Sequence, residues 1–92
     1  MIYVKSLSET VVKVAISKWS SEEGNDEYIE INTGEVAQWD RSDGRGFLMS
    51  VARKDSVKLL YSIRLNGYVI IYDDGVYNNG GRIDSLYAIP SF

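Results

Sequence analysis

Apolar residues recur at every second position in several segments of this 92-residue chain. Val12, Val14 and Ile16 alternate with charged or small residues, and segment 57–65 repeats the pattern. Successive side chains of a strand point to opposite faces, so a period of two is typical of strands buried on one side. No window keeps helical spacing for more than one or two turns. The sequence therefore predicts an all-β fold.

Eight segments with this character, separated by turn-forming residues, predict one domain over residues 1–92. They are 2–5, 12–16, 28–31, 36–39, 47–51, 57–65, 68–72 and 83–89. Short strands with regularly spaced turns are typical of a compact antiparallel β-sandwich, here of about seven to eight strands. Asn66-Gly67 stands between two of these segments and predicts a two-residue hairpin with a type I′ turn.

The composition argues against catalysis. The chain has no Cys and no His, so it lacks disulfides, the usual zinc ligands and the commonest general base. Asp73 and Asp74 are adjacent, and adjacent strand residues point to opposite faces, so they do not supply two carboxylates across one substrate. We expect no enzyme activity, no cofactor and no catalytic metal. Calcium at Asp73, Asp74 and Asp84 stays open, because these are hard oxygen donors.

The charge of the chain and its lack of targeting signals limit the partners and the cellular location that we expect. The net charge is −3 and the ten basic residues are scattered, so no nucleic-acid partner is expected. The first residues lack a basic region followed by a long apolar stretch, which predicts a cytoplasmic protein without a signal peptide or transmembrane segment. Acidic residues after the second strand are interpreted as a solvated turn: Glu22, Glu23, Asp26 and Glu27.

Segment 72–84 is the strongest candidate for a ligand site. It leaves an apolar strand and becomes rich in hydrogen-bonding side chains and glycine. Such groups suit the binding of a polyhydroxylated or headgroup-like ligand, although turns use the same residue types. The candidate site residues are Tyr72, Asp73, Asp74, Tyr77, Asn78, Asn79, Gly80, Gly81 and Arg82.

Two tryptophans and one charged turn complete the set of candidates. Trp39 is predicted to fill the core, with its N–H bonded to a backbone carbonyl. Trp19 ends a strand beside a polar turn, and it is added to the candidate ligand site because exposed aromatic rings stack on sugars or cations. Arg41, Asp43 and Arg45 predict an ion-pair network that braces a turn.

Three stretches of the chain resemble the actinoporin-like β-sandwich superfamily, which includes sea-anemone cytolysins and fungal fruit-body lectins. Residues 4–16 are two strands joined by a turn, and residues 29–39 are a strand, a Gly-centred turn and a strand. Residues 77–82 read Tyr-Asn-Asn-Gly-Gly-Arg and resemble a stretch of the fruit-body lectins. The resemblance implies a cytoplasmic, glycan-binding, oligomeric defence protein with 77–82 in its ligand region.

The leading hypothesis is a non-enzymatic, lectin-like protein that binds a glycan or glycoconjugate through the 72–84 loop. Tyr77 would stack on a sugar, Asn78 and Asn79 would bind hydroxyls, and Arg82 would hold an acidic or acetamido group. Weak single sites predict a homo-oligomer. The first alternative is a phospholipid headgroup, phosphocholine, bound by Trp19, Tyr72 and Tyr77 without a pore-forming helix. The second is a self-assembling module that pairs through sheet edges.

Overall fold

The computed structural model describes residues 1–22, 24–54 and 57–89, and these contain no helix. The all-β prediction is therefore confirmed. The described residues form ten strands: β1 (Ile2–Ser6), β2 (Val12–Ile16), β3 (Ile29–Ile31), β4 (Val36–Trp39), β5 (Phe47–Arg53), β6 (Lys58–Ile63), β7 (Tyr68–Tyr72), β8 (Gly75–Asn78), β9 (Gly81–Ile83) and β10 (Tyr87–Ile89).

The strands are arranged in two five-stranded sheets. The first sheet has the order β4-β1-β7-β8-β9, and the second has the order β10-β6-β5-β2-β3. Apolar side chains from both sheets belong to one buried cluster. The architecture is sandwich-like, as the alternating sequence predicts.

Burial follows the period of two. Val4, Val14 and Val69 have no solvent exposure, whereas their strand neighbours Tyr3 and Lys13 are exposed. Burying one aliphatic side chain of this size contributes about 1.5–3 kcal/mol relative to leaving it in water. The inward rows of valine and isoleucine therefore hold the two sheets together, and the outward rows are left for other roles.

One strand pair departs from the predicted antiparallel arrangement. β1 and β7 run parallel, with Tyr3 opposite Tyr68 and Lys5 opposite Ile70. Parallel neighbours need a long crossover, and here the crossover contains all of β2 to β6. Residues more than sixty positions apart in sequence thus become neighbours, which local alternation does not predict.

The predicted hairpin at Asn66-Gly67 is wrong. β6 and β7 belong to different sheets, so the chain crosses between sheets at this point. Gly67 N donates to the Arg64 carbonyl at 3.2 Å, and Asn66 alone of the dipeptide has a positive φ, of 63°. The dipeptide therefore closes a four-residue turn that passes the chain from one sheet to the other.

A different Asn-Gly pair makes the tight hairpin. Asn78 lies opposite Gly81, which leaves Asn79 and Gly80 as a two-residue connection between β8 and β9. Their φ values are 51° and 85°, and two consecutive positive φ angles are what a type I′ turn requires. The strand count rises from eight to ten because segment 72–84 contains β8 and β9. The predicted strand 83–89 is shorter in the structure, where β10 spans Tyr87–Ile89.

Arg41 anchors the long connection between β2 and β3. Its buried guanidinium donates to the carbonyl oxygens of Ile16, Ser17, Asn25 and Asp40 at 2.7–2.9 Å. A buried charge is costly unless its hydrogen bonds are satisfied, and these four carbonyls satisfy it. One side chain thereby fixes both ends of the 17–25 segment.

The carboxylate of Glu22 accepts hydrogen bonds from backbone N–H groups in the same region as Arg41. Its Oε1 accepts from Trp19 N at 2.9 Å, and its Oε2 accepts from Ser42 N at 2.6 Å and Asp43 N at 3.2 Å. Burial by itself raises the pKa of the Glu22 carboxyl, but the three N–H donors and the charge of Arg41 bring that pKa below its ordinary value.

The interpretation of the acidic segment as a solvated turn is wrong for Glu22. Asp26 and Glu27 are exposed as predicted, but Glu22 is buried against backbone donors. Glu23 lies outside the described residues. The backbone N–H groups of Ser42 and Asp43, which make Glu22 structural, are twenty positions away, so the local sequence does not reveal them.

We predict that Gly67→Ala lowers the free energy of unfolding by about 1–3 kcal/mol, as overpacking usually does. A Cβ at Gly67 would lie 3.1 Å from the Arg64 carbonyl oxygen and 3.1 Å from Asn78 Oδ1. Urea unfolding followed by tryptophan fluorescence measures the effect. Gly44→Ala is the matched control, because a Cβ there meets nothing within 4 Å. Equal stability of the two variants would contradict the close packing of this turn.

We predict that Glu22→Gln lowers stability at pH 7 and removes part of the acid sensitivity of the fold. All three partners of the carboxylate are N–H donors, so an amide NH₂ has no acceptor there. Because the folded pKa of Glu22 is lowered, its contribution is present above the unfolded pKa and is lost as pH falls through the folded pKa. Urea unfolding between pH 7 and about pH 3 tests this; Glu27→Gln, at an exposed site, should keep the wild-type profile.

Candidate functional site

Segment 72–84 is two tight hairpins and not an open loop. Asp73 and Asp74 connect β7 to β8, since Tyr72 pairs with Gly75. Asn79 and Gly80 connect β8 to β9. The turn-forming residues that suggested a flexible binding loop are used for these two connections, and the residues between them form strands.

Three of the predicted site residues share the outer face of the first sheet. Tyr77 on β8 lies opposite Arg82 on β9, and Tyr72 on β7 lies opposite Gly75. The rings of Tyr72 and Tyr77 pack edge to face with centroids 5.3 Å apart. Edge-to-face packing is a favourable geometry for aromatic pairs, so the two rings have a defined relative position.

Two further tyrosines extend this surface across the sheet. Tyr3 and Tyr68 are partners in the parallel β1–β7 pair, and their rings stack with centroids 6.0 Å apart. Tyr3, Tyr68 and Tyr72 remain 36–40% exposed. We call the outward surface formed by Tyr3, Tyr68, Ile70, Tyr72 and Tyr77 the tyrosine face.

Sequence reasoning missed Tyr3 and Tyr68 as site residues. The available signal was the outward position of each in a strand whose alternate residues are buried. That signal shows exposure but not proximity. Only the long-range pairing of β1 with β7 brings Tyr3 beside Tyr68.

Arg82 borders the tyrosine face in a fixed position. Its Nη2 donates to the Asp74 carbonyl at 2.9 Å. The guanidinium lies over Gly75, where a Cβ would come within 3.0 Å of Cζ. Gly75 therefore leaves room for an exposed, flat cationic group next to Tyr72.

Other predicted site residues have structural roles away from this face. Asp73 Oδ1 accepts from Ser8 Oγ at 2.7 Å and from Glu9 N at 3.0 Å, and these donors lower the pKa of the Asp73 carboxyl. Asn79 Oδ1 accepts from Tyr68 N at 3.0 Å. Asn78 packs against Gly67 on the inward side of β8.

The remaining members of the predicted site lie in the two turns or next to them. Asp74, Gly80 and Gly81 are exposed. The Asp74 carbonyl holds Arg82, and Gly81 begins β9 directly after the Asn79-Gly80 turn. In the described part of the chain, no three acidic side chains are grouped to hold a metal ion.

Trp19 lies at the opposite end of β2 from Asp73, the neighbour of Tyr72. Ser8 and Glu9 precede β2 and contact Asp73, whereas Trp19 follows the other end of β2. A five-residue strand is about 17 Å long. The composite site of Trp19, Tyr72 and Tyr77 predicted for phosphocholine is therefore not brought together.

Trp19 is held in its own local arrangement. Its Nε1 donates to the Gly46 carbonyl at 3.0 Å, and the Arg45 guanidinium carbon lies 3.6 Å from the ring centroid. Arg45 also pairs with Asp43 at 2.6 Å. The predicted turn-bracing ion pair is confirmed for Asp43 and Arg45 but not for Arg41, which binds carbonyl groups.

Trp39 is a core residue, as predicted, with 2% of its surface exposed. The predicted hydrogen bond from its N–H to a backbone carbonyl is not formed, and the buried Nε1 has no partner. The local sequence gives the burial of this ring but not the position of distant carbonyl groups.

A small cleft of about 240 Å³ lies at the β9 edge between the two sheets. It contains Tyr61, Arg53, Arg82 and Asp84. Burial raises the pKa of the Tyr61 phenol and Asp84 adds to the rise, while Arg53 and Arg82 oppose it. The phenol thus stays protonated near neutral pH and does not act as a base.

No protein-family model, no curated protein and no solved structure matches this chain. Among the described residues, no helix has the length and apolar character needed to cross a membrane.

We predict a graded series at Asn79 that separates its two roles. Asn79→Asp keeps both the tolerance of positive φ and an acceptor for Tyr68 N–H, so its stability should stay close to wild type. Asn79→Gly keeps only the φ tolerance and should lose about 0.5–1.5 kcal/mol. Asn79→Ala loses both and should be the least stable. Thermal unfolding measures the order; equal stability of the Gly and Ala variants would contradict the strained turn.

Proposed function

We propose that this chain is a non-enzymatic carbohydrate-binding module whose ligand lies on the tyrosine face. The observation that carries the proposal is the convergence of four of the seven tyrosines on one outer sheet surface. Tyrosine offers a large, rigid contact area with few rotatable bonds and a hydroxyl that both donates and accepts. Sugars present the complementary surface, with apolar C–H faces and a rim of hydroxyls.

The spacing of the rings supports an extended ligand. Tyr68 and Tyr72 lie four positions apart on β7, which corresponds to about 13 Å. The Tyr3–Tyr68 and Tyr72–Tyr77 pairs thus form two aromatic platforms along one strand. A short oligosaccharide could place one ring on each platform, while Arg82 at one end offers charge-assisted hydrogen bonds.

The structure changes the roles assigned from sequence. Tyr77 and Arg82 keep the roles of stacking and clamping. The roles proposed for Asn78 and Asn79 pass to the hydroxyls of Tyr3 and Tyr68, because the Asn79 amide supports the adjoining turn and Asn78 packs against Gly67. The proposal also includes the resemblance of residues 77–82 to fruit-body lectins. It includes an actinoporin-like form of the sandwich for the same reason.

Shallow sheet faces bind single ligands weakly, so the proposal includes a homo-oligomer that gains avidity from several sites. Pairing of sheet edges is not the favoured way to assemble it. The edge strands β3, β9 and β10 have three residues each and β4 has four. Short edges are one of the ways in which proteins limit edge-to-edge pairing.

The phosphocholine alternative has no specific support in this structure. It required an aromatic cage made from Trp19, Tyr72 and Tyr77. Trp19 lies at the other end of β2, and one face of its ring is already covered by Arg45. Quaternary ammonium groups are recognised by aromatic cages, and the cage predicted for choline loses Trp19, one of its three rings.

An array of immobilised neutral oligosaccharides, probed with wild type, Tyr68→Ser and Tyr77→Ser, tests the proposal. We predict binding by wild type and a loss of about tenfold or more in each variant, equivalent to about 1.4 kcal/mol per site. Leu48→Ser is the matched control, since Leu48 is 42% exposed on the outer face of the second sheet.

Circular dichroism confirms that each variant is folded, and the array is repeated with chemically cross-linked protein to compensate for weak sites. Retention of full glycan binding by both tyrosine variants would overturn the assignment of the site. Absence of binding by monomeric and cross-linked wild type would overturn the proposed function.

A further inference from the structure

A second surface of distinct chemistry lies on the other side of the molecule. A groove of about 860 Å³ crosses the outer face of the second sheet. We call it the basic groove, because its lining includes four cationic side chains: Lys13, Arg53, Lys54 and Lys58. Its volume falls in the range of about 300–1,000 Å³ that is typical of small-molecule sites.

The charge of the basic groove opposes that of the chain. Among its lining residues, four cations face two carboxylates, Glu9 and Glu30, which gives +2. The whole chain has a net charge of −3, opposite in sign to that of these described lining residues. A positive recess within an acidic surface concentrates its field in the recess, where it attracts small anions.

The sheet register opens the groove between two lysines. Lys13 on β2 lies opposite Ala52 on β5. Lys58 on β6 immediately precedes Leu59, the partner of Val51, and so lies on the other side of Ala52. Two interstrand spacings separate the two backbones, or about 10 Å. Because Ala52 is small, the lysines face a shared open space above it.

Tyr28 supplies a flat surface beside these cations. Its hydroxyl lies 2.7 Å from Ser50 Oγ, and Lys58 Nζ lies 4.9 Å from its ring centroid. The ring is thereby fixed across the sheet while 42% of the residue remains exposed. A ligand ring could pack against it with an attached anionic group directed toward the lysines.

Internal ion pairs neutralise this charge only weakly. Over the ranges 1–22, 24–54 and 57–89, the salt bridge in the groove is Lys13–Glu30, at 3.9 Å with both side chains more than half exposed. Exposed pairs of this kind contribute little. Arg53 donates to the Tyr72 carbonyl of the first sheet and also lines the cleft beside Tyr61, so the lysines are the cations assigned to the ligand.

We propose that the basic groove binds a compact phosphate or sulfate ester carried on a ring. Lys13, Lys54 and Lys58 would hold the anionic group, and Tyr28 would pack against the ring. The net negative charge of the whole chain disfavours a long polyanion, which would extend beyond the groove. This site is independent of the tyrosine face and does not rest on the proposed carbohydrate function.

Isothermal titration calorimetry at low salt tests the site with adenosine monophosphate and glucose 6-phosphate as probes, beside adenosine, glucose and inorganic phosphate. We expect saturable binding of at least one ester, with the uncharged parents tenfold weaker or worse. Added salt should weaken binding, because exposed charges are screened. Absence of saturable binding by both esters would overturn the proposal.

Charge-matched variants locate the site. Lys13→Gln/Lys58→Gln should weaken ester binding tenfold or more, whereas Lys18→Gln/Arg64→Gln removes the same charge elsewhere and should change it less than twofold. Tyr28→Ser should weaken the ring-bearing esters more than inorganic phosphate. If both double variants weakened ester binding equally, the loss would be due to net charge alone, and a site in the groove would be refuted.

A polymer control completes the test. A single-stranded oligonucleotide and heparin are titrated under the same conditions. If either polymer bound more tightly than the monoesters, and if Lys13→Gln/Lys58→Gln abolished that binding, the ligand of the groove would be a polyanion and not a compact ester. Weaker binding of both supports the compact ester.

Discussion

The burial of one apolar layer between two sheets is the constraint on which the rest of this structure depends. Each strand turns alternate residues toward that layer, and Val4, Val14, Val69 and Ile71 are completely removed from water. The inner surface is thereby committed to packing. Only the outward rows, the edges and the connections remain for recognition, which explains why both candidate sites lie on outer sheet faces.

The two outer faces differ because different strands supply them. The first sheet places β1 beside β7 and gathers tyrosines that are distant in sequence. The second sheet places β2, β5 and β6 side by side, and there the small Ala52 lies between the outward lysines Lys13 and Lys58. One face suits stacking with neutral, hydroxyl-rich groups, and the other suits compact anions.

The connections hold this framework through buried polar groups as well as through apolar contacts. Arg41 gathers four carbonyl oxygens, and Glu22 gathers three backbone N–H groups. Each charge is paired with backbone dipoles that would otherwise be unsatisfied near the surface. These hydrogen bonds hold the described residues of the β2–β3 connection in place, and those residues contain no helix.

The sequence by itself determined the all-β class, the inward rows and the burial of Trp39, because each depends on residues close together in the chain. Tertiary structure decided which strands pair, and so turned Asn66-Gly67 into a crossover and Asn79-Gly80 into the hairpin. It also brought Tyr3 to Tyr68 and separated Trp19 from Tyr77. The physical reason is that strand alternation fixes which side chains are buried, whereas neighbours across a sheet are fixed by long-range pairing and packing.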